Sequence, residues 1–317
     1  MKIAYLILAH TDAPQLGRLV RALADPDNGI FVHVDKKVDE APFRQACDGT
    51  EQVSFVKNRI KVYWGGVSLW LAQTETIREA LASKVCYDRF VLLTGTDYPL
   101  WSNKRIGEEL AANPDREYIR CYNLTKVTSP RKVPQRVTTY HFRDMPISSP
   151  RWRHYVIGGL MQLMNRCPIR KRQYIEADGG RMDVYGGTQW WVLTRGCVKY
   201  VIDTIDKDKH ILKYFKTAFG PEELIVHTVV MHSPYAEHAI STEDGVYPGL
   251  QGAALTHYII YNAQGQHIFT EHDYDTLVAS DRMFCRKVIS GASDELVRLI
   301  DERRRQTEQR QDDNRPV

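Results

Sequence analysis

Residues 1–120 alternate between short unbroken apolar runs and stretches in which apolar residues return at helical spacing. Ile3–Ala9 is apolar throughout, the pattern of a parallel strand covered on both faces. Thr11, Asp12 and Pro14 then supply a helix start, and Leu16, Leu19, Val20 and Leu23 fall on one face of the helix that follows. Asp25–Gly29 is a turn, and 30–34 is a second strand ending at Asp35. A strand, a helix and a second parallel strand imply a right-handed crossover.

A third strand is predicted at 53–56, and Trp64-Gly65-Gly66 precedes a helix carrying Val67, Trp70, Leu71, Thr74 and Leu81. Phe90–Leu93 reads as another buried strand, ending in Thr94-Gly95-Thr96-Asp97-Tyr98-Pro99. Ser102 or Asn103 caps a helix through Leu110, and 117–120 reads as a strand. The alternation predicts a doubly wound α/β domain, in which ligands sit outside the carboxyl ends of the strands. Those ends are Ala9-His10, His33-Val34-Asp35 and Gly95-Thr96-Asp97.

Residues 123–175 lack clean periodicity and contain Pro130, Pro134, Pro146 and Pro150, so a long irregular insertion is expected there. A strand led by glycines is predicted over 186–193, a helix around Glu222 and a further strand at 257–261. Beyond Ser293 the pattern gives one amphipathic helix and, from about Arg303, a polar tail expected to be frayed or disordered. The chain thus divides into 1–290, with a nucleotide-binding half at 1–122, the basic insertion at 123–185 and a catalytic half at 186–290, followed by a terminal helix and tail at 291–317.

Composition narrows the reading. With 43% apolar residues among 317, a sizeable core is available, and a net charge of +4 does not call for nucleic acid. The charge is uneven, however: Lys126 to Arg172 holds eleven Lys/Arg residues and one acid, Asp144. Six scattered cysteines form no Cys-x-x-Cys pair, which suggests neither zinc nor a disulfide framework and fits a reducing, cytoplasmic compartment. The N-terminal run reads as a first strand, not a cleaved leader, and no stretch approaches a membrane span. Neither a Gly-x-Gly-x-x-Gly turn nor a phosphate-binding loop ending in Gly-Lys-Ser/Thr occurs. The Asp-x-Asp strings at 25/27, 206/208 and 273/275 lie in turns or polar loops and read as solvated surface.

Chemistry concentrates at Gly220-Pro221-Glu222-Glu223, where two carboxylates open a predicted buried helix. The positive end of a helix dipole favours their ionised form, which suits a proton acceptor. Taken alone, such acids are more often there to stabilise the helix.

The ordered set Ala-Tyr-Leu-Ile-Leu-Ala-His, His33-Val34-Asp35-Lys36-Lys37, Trp64-Gly65-Gly66, Thr96-Asp97-Tyr98-Pro99, Gly186-Gly187-Thr188-Gln189-Trp190-Trp191, Pro221-Glu222-Glu223 and Phe284-Cys285-Arg286-Lys287 resembles the core-2/I-branching enzyme family, which holds β-1,6-N-acetylglucosaminyltransferases and peptide O-xylosyltransferases. The resemblance runs from residue 3 to about 290. It implies a GT-A-type, Rossmann-like fold, a UDP-sugar donor, inversion at the anomeric carbon, and no metal or other cofactor. Asp97 closes its strand without the second aspartate that commonly helps hold a metal.

By the same resemblance Glu223 is the general base, Glu222 a capping acid, and Arg286-Lys287 the diphosphate-binding pair. The family's second diphosphate arginine falls at His257, so either His257 acts protonated or Arg286 compensates. Asp35 is expected at the uridine, flanked by backbone near Ala9 and His10. Trp64, Gly65 and Asp97 are expected beside the donor, and Gln189 and Trp190 beside the acceptor, with at least one of Trp190 and Trp191 in the core. His227, one helical turn beyond Glu223, either orients that carboxylate or simply packs. The basic insertion suits an acidic glycan acceptor or an anionic membrane surface, its plain alternative being a solvated face. The function read from the sequence is transfer of GlcNAc or xylose to a saccharide, as in a bacterial surface glycan or its lipid-linked precursor. Its alternatives are a non-catalytic carbohydrate or polyanion binder that keeps the fold, and a UDP-sugar hydrolase.

Overall fold

A computed structural model describes residues 1–127, 132–147, 149–166, 168–242 and 249–313. Pro130, Cys167 and residues 314–317 of the polar tail lie outside the described residues.

The first half follows the predicted alternation. It runs β1 (Ile3–Ala9), α1 (Ala13–Leu23), β2 (Asn28–Val34), α2 (Ala41–Ala46), β3 (Val53–Phe55), α3 (Val67–Ala82), β4 (Arg89–Thr94), β5 (Asp97–Pro99), α4 (Asn103–Ala112) and β6 (Arg120–Asn123). Asp12 and Ser102 cap α1 and α4 through their side chains. Then come α5 (Lys132–Thr138), α6 (Pro150–Arg166), β7 (Tyr174–Ala177), β8 (Gly180–Asp183), β9 (Tyr185–Gly186), β10 (Val192–Thr194), α7 (Arg195–Lys207), α8 (Lys209–Phe215) and α9 (Ile225–Met231). The chain closes with β11 (Ile240–Thr242), α10 (Gly249–Ala253), β12 (His257–Ile259), the hairpin β13 (Tyr261–Asn262) and β14 (Gly265–Gln266), α11 (Tyr274–Ala279), β15 (Phe284–Arg286) and α12 (Asp294–Asp313).

The central sheet has the order β10-β4-β1-β2-β3, parallel except for β10, which is antiparallel to β4. This is a mixed α/β, Rossmann-like arrangement. Side chains of β1 alternate between two cores, as the two-residue period of a strand requires. Ala4 and Leu6 join Trp70, Trp191 and the helices α7 and α9 on one face, whereas Ile3, Tyr5 and Ile7 join Leu16, Leu19 and Ile106 on the other. Two small sheets, β12-β15-β5 and β11-β6-β9, flank the central one. Because Ala9 pairs with Val34 and Leu8 with Thr94, the ends of β1, β2 and β4 finish at one edge.

Four expectations are corrected. The stretch 123–175 is not irregular throughout, since α6 is a 17-residue helix. Its periodicity is obscured because one apolar stripe faces solvent rather than the core. The strand expected at 117–120 lies at 120–123; Glu117 is instead buried and accepts from the backbone and hydroxyl of Thr194 at the start of α7. The strand expected over 186–193 is broken into β9 and β10. Gly187 interrupts it where a Cβ would sit 2.3 Å from the His227 ring and 2.4 Å from the Arg120 carbonyl.

Finally, the polar tail is helical to Asp313. Arg304 is buried and donates to the carbonyls of Ala22 and Trp101 at 2.6 and 3.0 Å, which fastens α12 to α1. Replacing Arg304 with Met strands both carbonyls and is expected to cost about 1–3 kcal/mol in urea unfolding. A midpoint equal to that of the wild type would show that α12 is not held this way.

Candidate active site

A cavity of about 640 Å³ opens over the shared edge of β1, β2 and β4. Ala9, His10, Asp35, Thr94, Gly95 and Thr96 line it from the central sheet, as expected for a doubly wound fold. The Asp35 amide donates to the Ala9 carbonyl at 2.9 Å, which ties the two strand ends. The Asp35 carboxylate accepts from the backbone of Lys37 at 2.9 Å, and the Lys37 ammonium lies 3.4 Å away. Part of this carboxylate therefore shapes its own loop. His33 behind it accepts from the Ile60 amide at 2.8 Å, and burial pushes its pKa down to about 4, so it is neutral.

Two turns far apart in sequence form the opposite wall. Gly65 has φ +72 and a missing Cβ that would lie 2.6 Å from the Phe219 ring; its carbonyl accepts from the Gly220 amide at 3.0 Å. Gly65 therefore positions the wall without lining the cavity, contrary to its expected place beside the donor. Trp64 does line the cavity, 71% exposed and edge-on to Phe219. Asp144, the lone acid of the basic stretch, accepts from the amides of Val67 and Ser68 at 2.7 and 3.1 Å and so caps α3.

The Gly220 turn delivers both glutamates as a short 3-10 turn ahead of α9, and neither caps a helix with its side chain. The Glu223 carboxylate lines the cavity and is 32% exposed; Arg136 of α5 donates to it at 2.7 Å. Arg136 is fixed in turn by the carbonyls of Phe219 and Gly220, both at 3.3 Å. Burial works against the Arg136 charge, but Glu223 holds its pKa above the ordinary value. Sequence reasoning missed Arg136, because nothing local sets it apart among eleven basic residues.

Glu222 is not a capping acid. It is buried at the cavity wall, its Oε2 lacks a hydrogen-bond partner, and burial, aided by Glu223, pushes its pKa up to about 8. His227 does not orient Glu223: it packs against Gly187, and burial lowers its pKa to about 3.

The third wall comes from the end of β15. Arg286 and Lys287 both line the cavity. Arg286 donates to Asp97 at 2.9 Å and to Thr96 at 2.7 Å, bonds Thr94 as well, and donates through its Nε to Gln266 Oε1 at 3.2 Å. Asp97 is the main correction within the site. It is fully buried, is absent from the cavity wall, and accepts from Thr94, Arg286 and the Trp190 indole. Burial alone would raise its pKa, but Arg286, His257 and Thr94 outweigh it and hold the carboxyl at about 2. Asp97 thus anchors Arg286 and Trp190 and does not reach a sugar.

His257 lies stacked on Phe284 and beside Trp190, fully buried, with its pKa lowered by burial. Its Nε2 faces the Asp97 carboxylate at 3.4 Å and its Nδ1 meets the Thr256 hydroxyl at 2.9 Å, so it packs behind Asp97 and does not line the cavity. Of the two alternatives for the second diphosphate cation, only Arg286 reaches the cavity. Trp190 and Gln189 line the cavity as expected, whereas Trp191 is core.

Among the described residues, the group able to hold a metal is Asp178, Asp208 and His210, none of which lines the cavity. Asp208 there caps α8. Asp273, from another Asp-x-Asp string, accepts from the Thr270 amide in a capping box.

The fold and the cavity define an α/β protein whose ligand site combines cations suited to phosphate with carboxylates suited to proton transfer. The chain belongs to the Core-2/I-Branching enzyme family, whose sequence profile matches residues 3–272. Human xylosyltransferase 2 is 26% identical over 319 residues, 95% of this chain and 33% of that protein. Rat xylosyltransferase 2 is 25% identical over 314 residues with the same coverage, and human xylosyltransferase 1 is 24% identical over 246 residues, 75% of this chain and 23% of that one. The chain therefore spans about a third of the length of the xylosyltransferase 2 relatives it matches.

The buried Glu222 makes stability depend on pH. Its native carboxyl keeps a proton that the unfolded chain releases above the ordinary glutamate value of 4.5, so its contribution is full below that pH and is lost as pH rises to about 8. Glu222→Gln should flatten this decline and unfold later than wild type in urea at pH 8. Parallel pH profiles for the two proteins would contradict the assignment.

Proposed function

We propose that the protein is a UDP-sugar-dependent, inverting glycosyltransferase with Glu223 as general base. The observation that carries this reading is the convergence of Glu223, Asp35 and the adjacent Arg286 and Lys287, from three separate segments, on one cavity. In the proposed reaction the acceptor hydroxyl gives its proton to Glu223 as its oxygen forms a bond to the anomeric carbon of the donor. The bond from that carbon to the UDP oxygen breaks on the opposite face, so configuration inverts. Arg136 holds Glu223 Oε2 at 2.7 Å and so fixes the direction of the carboxylate that would take the proton. Arg286 and Lys287 meet the charge that develops on the diphosphate, with Arg286 already fixed by Asp97, Thr94 and Thr96.

The remaining roles follow the walls. Asp35, with backbone at Ala9 and His10, receives the uridine; Trp64 offers a flat, exposed face to a sugar, and Gln189 and Trp190 stand on the acceptor side. Transfer without a metal is part of the proposal, supported by the two side-chain cations, Arg286 and Lys287, on the cavity wall. The names of the relatives make UDP-xylose the first donor to try, ahead of UDP-GlcNAc, with a bacterial surface glycan or its lipid-linked precursor as acceptor. A reducing, cytoplasmic setting completes the reading, supported by the free thiols of Cys47, Cys86, Cys121, Cys197 and Cys285.

Glu223→Gln should bind UDP with wild-type affinity by calorimetry while kcat falls by about 100-fold or more, the range for loss of a general base. Unchanged kcat rejects Glu223 as the base. EDTA should leave wild-type transfer intact; abolished transfer restored by a divalent cation rejects the metal-free step. Donor consumption undiminished without acceptor favours a hydrolase.

A further inference from the structure

The helix α6 carries a feature that the cavity does not use. Ile157 on its inner side is buried, with Leu160, Met161 and Met164 half-buried beside it. A second stripe, Trp152, Val156, Gly159 and Leu163, recurs at helical spacing on a different face and is exposed together with the adjoining Tyr155. Trp152 is 67% exposed and Leu163 59%, and the following segment presents Ile169 at 66%. Large apolar side chains in solvent along one stripe mark a contact surface.

Charge indicates what covers it. From Pro150 to Arg172 there are six Lys/Arg residues and no acid. Arg166 lies at the edge of the stripe, and Arg151, on the same flank beyond Tyr155, is exposed with it, as is Arg170 in the segment that follows. Four of the six also bond within the fold: Arg153 to the Arg143 carbonyl, Arg170 to the carbonyls of Met164 and Ile169, Lys171 to the Tyr214 carbonyl at 2.6 Å, and Arg172 to Glu176. An aromatic and aliphatic stripe with basic flanks, on a helix lacking acids, has the composition of a helix lying in the plane of an anionic bilayer interface. A second copy of this chain would bring like charges together. An acidic polysaccharide would meet the arginines but leave the apolar stripe in water.

The position of α6 gives the contact a purpose. Arg153, in its first turn, bonds the Arg143 carbonyl and lies over the Tyr63 ring at 4.6 Å, while Arg143 lies over Trp64 at 5.7 Å. Trp64 is on the cavity wall, so the start of α6 is joined to that wall through two stacked arginines. We propose that α6, with Ile169 and Arg170, seats the protein on an anionic lipid surface and brings the cavity to an acceptor carried on that surface. The acceptor clause rests on the function proposed above; the lipid contact does not.

The test is flotation of the full chain, without donor, with vesicles of phosphatidylcholine alone or with about a third phosphatidylglycerol. The protein should float with the anionic vesicles only, and raised salt should weaken the association. Trp152→Ser with Leu163→Gln, both at exposed positions, should lower the partition coefficient about tenfold or more. The same pair should keep the thermal midpoint and the turnover of a water-soluble acceptor. Quenching of wild-type tryptophan fluorescence by brominated anionic lipid supplies a readout that needs no variant. Failure to float with anionic vesicles, equal flotation with both compositions, or wild-type flotation of the double variant overturns the proposal. So does a dimer in sedimentation that the double variant dissolves, or retention on an acidic polysaccharide in place of vesicles. Lipid binding by a protein inactive towards every donor would leave this proposal standing and reject the function.

Discussion

The ion pair between Asp97 and Arg286 holds the cavity together. A fully buried carboxylate is tolerable only when hydrogen bonds and an opposite charge replace its water, and breaking such a pair costs about 3–5 kcal/mol because the remaining charge is stranded. Here the replacements come from separate parts of the chain: Thr94 at the end of β4, the Trp190 indole before β10, and Arg286 at the end of β15. The same carboxylate that closes β4 therefore joins the central sheet to the flanking β12-β15-β5 sheet and anchors a guanidinium that lines the cavity.

The opposite wall is organised by contact rather than by charge. Gly65 and Gly220 meet backbone to backbone, each with positive φ, and Phe219 fills the space that a Cβ on Gly65 would need. This close approach carries the two adjacent glutamates to the cavity and gives them different environments. Glu223 has Arg136 and partial solvent access, whereas Glu222 has burial and a like charge beside it, so its proton is retained.

Much of this was legible in the residues themselves. The runs of β1, β2 and β4 are apolar because both faces of those strands are covered, and their ends locate the sheet edge. Asp35, Glu223, Arg286 and Lys287 were identified by ordered motifs, and all of them reach the cavity. The reading failed where a residue's role depends on a distant neighbour. Asp97 sits in a strand-end motif that suggests ligand contact, but it is surrounded by side chains 93 to 189 positions away that consume its hydrogen-bonding capacity. Arg136 gave no signal because its partner is 87 residues away. Glu222 looked like a helix cap until the 3-10 turn was seen to separate it from α9.

Local patterning determined the strand and helix alternation of the first half, the doubly wound sheet and the edge over which the cavity opens, because period and turn chemistry are properties of neighbouring residues. Which of two adjacent glutamates is buried and keeps its proton, whether Asp97 faces the cavity or the protein, and which face of α6 remains uncovered were decided only by tertiary structure. Protonation and exposure depend on what surrounds a group in space, and those surroundings are assembled from segments that share no local sequence signal.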